Sequence, residues 1–183
     1  MKVICISGKA QHGKTFTAEI LKEMLEEQGH RVIKLAYGDY LKFVCQKHFG
    51  WDTQKNEKGR SILQKVGTDL ARKNNPMVWV NTVVETILAL SSEFEYFLID
   101  DSRFKNEIDV FKERNIPSYS IRIHRNGFTS TLTDEQLKHP SETSLDDYLF
   151  DCYLTFFTGK DNVIDAINMS GVLEQITKEV YNG

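Results

Sequence analysis

The 183-residue chain has little cysteine, little net charge and no long apolar run, and each shortage closes off a class of protein. Its three cysteines, Cys5, Cys45 and Cys152, are scattered, odd in number and form no C-x-x-C pair. Neither a disulfide framework nor a cysteine metal cluster is expected, and a reducing cytoplasm is the natural setting. A formal net charge of −3 gives no electrostatic footprint for a nucleic-acid polymer, so anions must be held by local arrangements of donors. No apolar run approaches the length of a membrane span. Strand-like residues begin at once after Met1, which leaves no room for a signal peptide. No repeat, low-complexity tract or linker interrupts the chain, so a single domain over 1–183 is expected. What remains is an ordinary globular composition, 40% hydrophobic and 27% charged, able to build a sizeable core.

Against that background one stretch stands out. Gly8-Lys9-Ala10-Gln11-His12-Gly13-Lys14-Thr15 meets G-x-x-x-x-G-K-[ST] at every fixed position. Val3-Ile4-Cys5-Ile6 before it is a short apolar run suited to a buried strand. Phe16, Ile20, Leu21, Met24 and Leu25 after it recur at helical spacing. Strand, glycine loop and helix are the context in which such a loop binds polyphosphate. Gly8 and Gly13 let backbone N–H groups converge on phosphate oxygens without a Cβ in the way. The helix N-terminus adds its positive dipole end. Lys14 would reach the β- and γ-phosphates, and the Thr15 hydroxyl would take a place on Mg²⁺. Residues 8–16, through Phe16, are thus the candidate nucleotide site.

Downstream, strands alternate with helices. The first helix should end at Gln28-Gly29, where glycine supplies a left-handed cap. Residues 32–36 read as a second strand, followed by a helix carrying Phe43, Val44 and Phe49 and a polar surface connection over 50–60. A helix over about 61–73 has Ile62, Leu63, Val66 and Leu70 on one face, and Pro76 ends it. The next helix turns Val80, Val83, Val84, Ile87 and Leu88 toward the core. Residues 96–99 form a buried strand ending in Asp100-Asp101, a helix spans about 105–115, and Tyr119, Ile121 and Ile123 alternate as in a strand. Residues 125–151 are polar, without a sustained period, and read as a lid. A last strand over 152–157 with a helix from Asp161, broken near Gly171, competes with a strand at 163–167. The alternation implies an α/β fold, a mostly parallel sheet with helices on both faces. Ligands of such sheets bind beyond the carboxyl ends of the strands, which gathers the phosphate loop, Asp39, Asp100 to Arg103 and Arg125 on one rim.

The motifs of a GTPase switch, D-x-x-G and [NT]-K-x-D, are absent, as is a transporter-type Ser-Gly-Gly signature. A small-molecule kinase instead needs cations opposite the loop to hold a second phosphorylated substrate. The chain carries such groups in Tyr37-Gly38-Asp39-Tyr40-Leu41-Lys42 and in Asp101-Ser102-Arg103 with Glu107. These blocks, with Leu63-Gln64-Lys65-Val66-Gly67-Thr68-Asp69-Leu70, Trp79 and His139-Pro140-Ser141-Glu142, resemble the deoxynucleoside monophosphate kinases of bacteriophages and some bacteria. Order and approximate spacing hold across most of the chain. Tyr40 departs from the usual proline of that family, and no clean Asn-Asp-Gly-like turn occurs near the end.

The resemblance implies a P-loop NTPase fold of the nucleoside monophosphate kinase type, with acceptor-binding helices over about 38–90 and a lid over about 125–151. It implies ATP and Mg²⁺ as cofactors and transfer of the γ-phosphate to a (deoxy)nucleoside monophosphate. Small-molecule nucleotides are the partners, with no nucleic-acid polymer and no membrane, and the chain would be a monomer or homodimer. Lys14 and Arg103, with Arg125 as a lid cation by its position at the start of the polar loop, would neutralise the transferring phosphoryl group. Thr15 and, through water, Asp100 would hold the metal. Asp39, Lys42, Arg60, Gly67, Thr68, Trp79, Asp101, Arg103 and Glu107 would form the acceptor site, while His139 and Glu142 would order the lid. A guanidinium fork at Arg103 matches phosphate oxygens. The alternatives are a phosphate-loop kinase of the dephospho-coenzyme A or phosphomevalonate type and a non-catalytic nucleotide-binding regulatory module.

Overall fold

In the computed structural model, residues 1–54 and 56–178 are described; Lys55 and the last five residues of the expected 1–183 span lie outside them. Five strands form one parallel sheet: β1 (Lys2–Ser7), β2 (Val32–Leu35), β3 (Tyr96–Ser102), β4 (Ser118–Arg125) and β5 (Cys152–Phe156), in the order β2-β3-β1-β4-β5. Because successive side chains of a strand alternate faces, β1 divides its residues between two cores. Ile4 and Ile6 face α1 (Lys14–Glu27), α8 (Lys160–Ser170) and α9 (Val172–Lys178), where they meet Ala18, Leu21, Leu25, Val163 and Ile167. Val3 and Cys5 face α4 (Val78–Ala89) and α5 (Asn106–Glu113), where Val80, Val84, Ile87, Ile108 and Phe111 close the other side. Helices therefore cover both faces, as the apolar runs of β1 and β3 require.

Helix ends follow their sequence signals. α1 stops at Gln28, and Gly29 adopts φ 87. Gly171, at φ 66, separates α8 from α9, so the strand alternative at 163–167 gives way to a helix whose Val163 and Ile167 are buried. Among the described residues no helix is long and apolar enough to cross a membrane.

Three stretches differ from the sequence reading. The polar connection ends earlier than expected: α3 (Glu57–Gln64) starts at Asn56, whose side chain caps Gly59 N, and continues as a π-helix over Lys65–Arg72. A period tuned to α-helix misreads such a segment, and Leu70, expected inside, is 44% exposed. α2 (Gly38–His48) leaves Phe43 and Phe49 exposed and buries Cys45, which packs with Trp51 and Val66. In α4, Leu88 likewise points out. Residues 125–151 are not a featureless loop. They hold α6 (Asp134–Lys138), opened by a capping box between Thr133 and Gln136, and α7 (Pro140–Thr143). Leu145 and Phe150 then enter the core, so the low apolar content of this segment conceals two buried anchors.

Gly67, in the π segment, has a packing reason. A Cβ there would lie 2.6 Å from Leu41 Cδ2, so its bareness lets α2 approach. Its carbonyl accepts from Trp79 Nε1 at 3.0 Å, tying the segment to α4. Trp79→Phe keeps most of the buried ring but orphans that carbonyl. It should cost about 1–2 kcal/mol, read as a lower urea midpoint at unchanged slope; an unchanged midpoint would mean that the bond carries no net stability.

Candidate active site

The phosphate loop runs from Gly8 to Gly13, between β1 and α1. Gly8 passes so close to β4 that a Cβ would stand 2.7 Å from Ile123 Cγ1 and 2.8 Å from its carbonyl oxygen. Gln11 and Gly13 take φ 67 and 97, the left-handed backbone from which anion-binding nests are built. The Lys14 ammonium is folded under this loop and donates to Gly8 O (2.8 Å) and Lys9 O (3.0 Å). Burial, and then the neighbouring Arg103, push its pKa down to about 7. Among the described residues no carboxylate forms an ion pair with it. Such an ammonium lacks an anion.

A cavity of about 670 Å³ opens beside the loop, at the carboxyl ends of β1, β2 and β3. It collects most of the residues singled out in the sequence. Ala10, Gln11, Gly13, Lys14, Thr15 and Phe16 line one side. Asp39, Lys42, Arg60, Gly67, Thr68 and Trp79 line the other, from α2 to α4, and Asp100, Asp101, Arg103 and Glu107 lie between them. Gly8, Lys9 and His12 belong to the loop without lining the cavity.

Arg125 does not line it either. Its guanidinium lies 3.6 Å from the Phe128 ring centroid, and its backbone N–H donates to His12 Nδ1 at 3.0 Å. Its Nε is buried with no hydrogen-bond partner among the described residues. The backbone of Arg125, rather than its side chain, thus braces the phosphate loop, through an imidazole whose pKa burial lowers to about 4 and which is hence neutral. A position on the transferring phosphoryl group, expected from its place at the strand end ahead of the polar loop, is not the one the side chain occupies here.

The acidic residues are mostly committed. Asp101 accepts from Tyr37 N and Gly38 N, both at 2.8 Å, and so caps α2; burial raises its pKa against the pull of these amides. Asp39 pairs with Lys42 at 2.7 Å on the exposed lip. Glu107 is neither a solvated helix residue nor a free ligand. One of its oxygens pairs with Arg72, and the other accepts from Arg103 N (2.6 Å) and Phe104 N (3.0 Å). Burial pushes its carboxyl up to about 7. Asp100 keeps a buried carboxyl in the cavity wall, with Lys34 at 3.7 Å. Arg103 Nη1 donates to Ser141 O at 3.2 Å and pairs with Glu142.

Arg72, Phe104 and Lys34 line the cavity without having been given a site role by the sequence reading. The Arg72 guanidinium carbon lies 4.2 Å from the Phe104 ring centroid. Its side chain is directed by the π-helix, which no α-helical periodicity anticipates; the only hint was the mid-helix glycine. No group of three or more His, Cys, Asp or Glu among the described residues is arranged to hold a metal ion. A Mg²⁺ bound chiefly through nucleotide phosphates and water needs no such cage.

A glycine loop over a buried lysine, facing a cation-lined cavity at the carboxyl edge of a parallel sheet, defines a phosphate-loop kinase of a small acceptor. The model of the phosphomevalonate kinase family matches residues 6–117, and the chain belongs to that family. Among solved structures, a gluconokinase from Sinorhizobium meliloti is similar in fold, with TM-score 0.52 and 14% identity over 98% of this chain and 95% of that one. An APS kinase from Mycobacterium tuberculosis aligns over 95% of this chain and 96% of that one, with 13% identity and TM-score 0.48. No curated protein matches the chain in sequence. The acceptor type named by the family is thus one of the alternatives to a nucleoside monophosphate.

The depressed Lys14 gives a proton-linkage signature. Below about pH 7 the ammonium is already charged in the free protein; above it the amine is mostly neutral and must be protonated when an anion arrives. MgATP binding should therefore take up close to one proton at about pH 8.5 and almost none near pH 6. Calorimetric titration in buffers of different ionisation enthalpy measures this directly. Equal uptake at both pH values would remove Lys14 as its source.

Proposed function

We propose that the chain transfers the γ-phosphoryl group of ATP to the phosphate of a (deoxy)nucleoside monophosphate, giving ADP and the diphosphate. An acceptor phosphate oxygen attacks the γ-phosphorus while the bond to the β,γ-bridging oxygen breaks and its electron pair leaves with ADP. The acceptor oxygen is already anionic, so no general base is required. The chain's task is positioning and charge neutralisation. Residues 8–16 hold the polyphosphate, with Lys14 on its transferring end. Thr15 and Asp100 are hard oxygen donors on one cavity wall, which suits Mg²⁺ with water between metal and carboxylate. That ion would supply further neutralisation of the phosphates. Arg103 and Arg72 meet the acceptor's phosphate, with Lys42 and Arg60 at the rim. Residues 38–90 form the acceptor-binding helices, and the part of 125–151 ahead of Leu145 covers the site.

The observation that carries this reading is the make-up of the acceptor wall. Three arginines, Arg60, Arg72 and Arg103, stand with Trp79, Tyr37 and Phe104 around a cavity of about 670 Å³. Flat aromatic and guanidinium faces suit a planar base, and the volume suits a small-molecule ligand. A second reading, transfer to phosphomevalonate, is favoured by the family match over residues 6–117. It shares the cations but makes no use of aromatic planes.

A coupled assay with ATP, Mg²⁺, each nucleoside and deoxynucleoside monophosphate, phosphomevalonate and dephospho-coenzyme A separates the readings. Turnover should be fastest with a nucleotide acceptor; preference for phosphomevalonate would overturn that choice while leaving the kinase chemistry intact. Lys14→Ala should abolish transfer with the fold retained by circular dichroism. Arg103→Lys keeps the charge but loses the planar fork, so acceptor kcat/KM should fall about 10- to 100-fold, equivalent to about 1.4–2.7 kcal/mol. The KM for ATP should stay within about twofold of wild type. An unaltered acceptor kcat/KM would make Arg103 merely structural.

A further inference from the structure

We infer that Glu142 is the positioning residue that sets Arg103 against the phosphate loop, and that the segment following α6 therefore completes the acceptor site. The inference rests on the kinase reading of the cavity and deepens it.

The local sequence explains how a carboxylate arrives there. In His139-Pro140-Ser141-Glu142, the His139 ring accepts from Ser141 N at 3.2 Å and caps α7. Pro140, at the first helical position, lacks the N–H that would otherwise go unbonded. One turn of helix then aims Glu142 at the loop. The carboxylate is 93% buried, by its 7% exposure, and both its oxygens are used. Oε2 accepts from Ala10 N at 2.8 Å, and Oε1 pairs with Arg103 Nη1. The Glu142 carbonyl also accepts from Lys9 Nζ at 2.6 Å, and Lys9 pairs with Asp146. Three elements distant in sequence thus meet on one residue.

The geometry at Arg103 is selective. Both of its side-chain contacts, Ser141 O and Glu142 Oε1, fall on Nη1. Among the described residues the other guanidinium nitrogens keep their donors for a ligand in the cavity. An arginine has many rotamers, and holding one corner of the fork converts a swinging cation into an oriented one. The cost of burying the carboxylate is offset by two donors and by the surrounding positive charge of Lys14 and Arg103.

Two arms test this. Backbone hydrogen exchange of the whole protein, without nucleotide, reads the clamp itself. The Ala10 amide should exchange at least tenfold faster in Glu142→Ala, whereas Glu142→Gln, which retains an acceptor oxygen, should stay near wild type. Unchanged exchange in Glu142→Ala overturns the inference whatever the acceptor. The second arm is kinetic. Glu142→Gln should raise acceptor KM and lower acceptor kcat/KM about tenfold or more, with ATP affinity within about twofold of wild type. In an Arg103→Ala background the same change should add almost nothing, because its effect passes through Arg103. Additive losses, or an equal loss of ATP affinity, would overturn the positioning role. If no acceptor in the panel is phosphorylated, the kinase reading fails, and the exchange arm still decides the clamp.

Discussion

A buried ammonium that has no carboxylate partner among the described residues sets the terms for the rest of the site. Lys14 sits beneath the loop on two carbonyl oxygens, and burial, with Arg103 nearby, depresses its pKa. A direct ion pair to a nearby carboxylate would relieve that deficit and occupy the place of a phosphate. The surrounding acids are kept from doing so. Asp101 is spent on the N-terminus of α2, Glu107 on Arg72 and two amides, and Glu142 on Arg103 and Ala10 N. Each carboxylate is satisfied a short distance away, and the cavity retains a positive field for a ligand to complete.

Such buried pairs contribute little net stability, since desolvation consumes most of the attraction. Their value here is angular. Glu107 holds Arg72 where its guanidinium lies over Phe104, and Glu142 holds Arg103 by a single nitrogen. Tyr37 joins the same network, its hydroxyl donating to Glu107 O and its amide to Asp101. A change at any member moves the cavity wall rather than a lone side chain, and effects of neighbouring substitutions will not add.

The nucleotide half of the site was legible in the residues, because phosphate-loop chemistry is local: glycines, lysine and hydroxyl stand within eight positions, from Gly8 to Thr15. The sheet was legible too, since apolar strands buried on both faces leave short, dense runs such as Val3–Ile6 and Tyr96–Ile99. The wall facing the loop was visible only as residue types. Arg103 and Glu107 were found, but not that Glu107 binds Arg72, which depends on a π-helix whose phase no α-helical period predicts. The segment 125–151 misled by composition: two apolar anchors, Leu145 and Phe150, outweigh many polar neighbours once they are buried. Arg125 shows the limit of arguing from a strand end. The rim of a sheet has two sides of the loop to serve, and here the guanidinium stacks on Phe128 while the backbone N–H of Arg125 donates to His12.

The extent of the family match adds a physical division. Residues 6–117 contain the phosphate loop, helices α2 to α4, Arg103 and Glu107, and end one residue before β4. Glu142, Lys9's partner Asp146 and the Arg125–Phe128 stack lie beyond it. The matched part carries the cations that any phosphorylated acceptor demands. The part beyond it decides how those cations are aimed and how the loop is braced. Aim matters more as the acceptor grows larger and flatter, because a base stacked on a wall fixes its phosphate within a narrow arc, whereas a short aliphatic chain can bend to find the cation. A carboxylate that locks Arg103 to one orientation is therefore more useful to a rigid acceptor than to a flexible one.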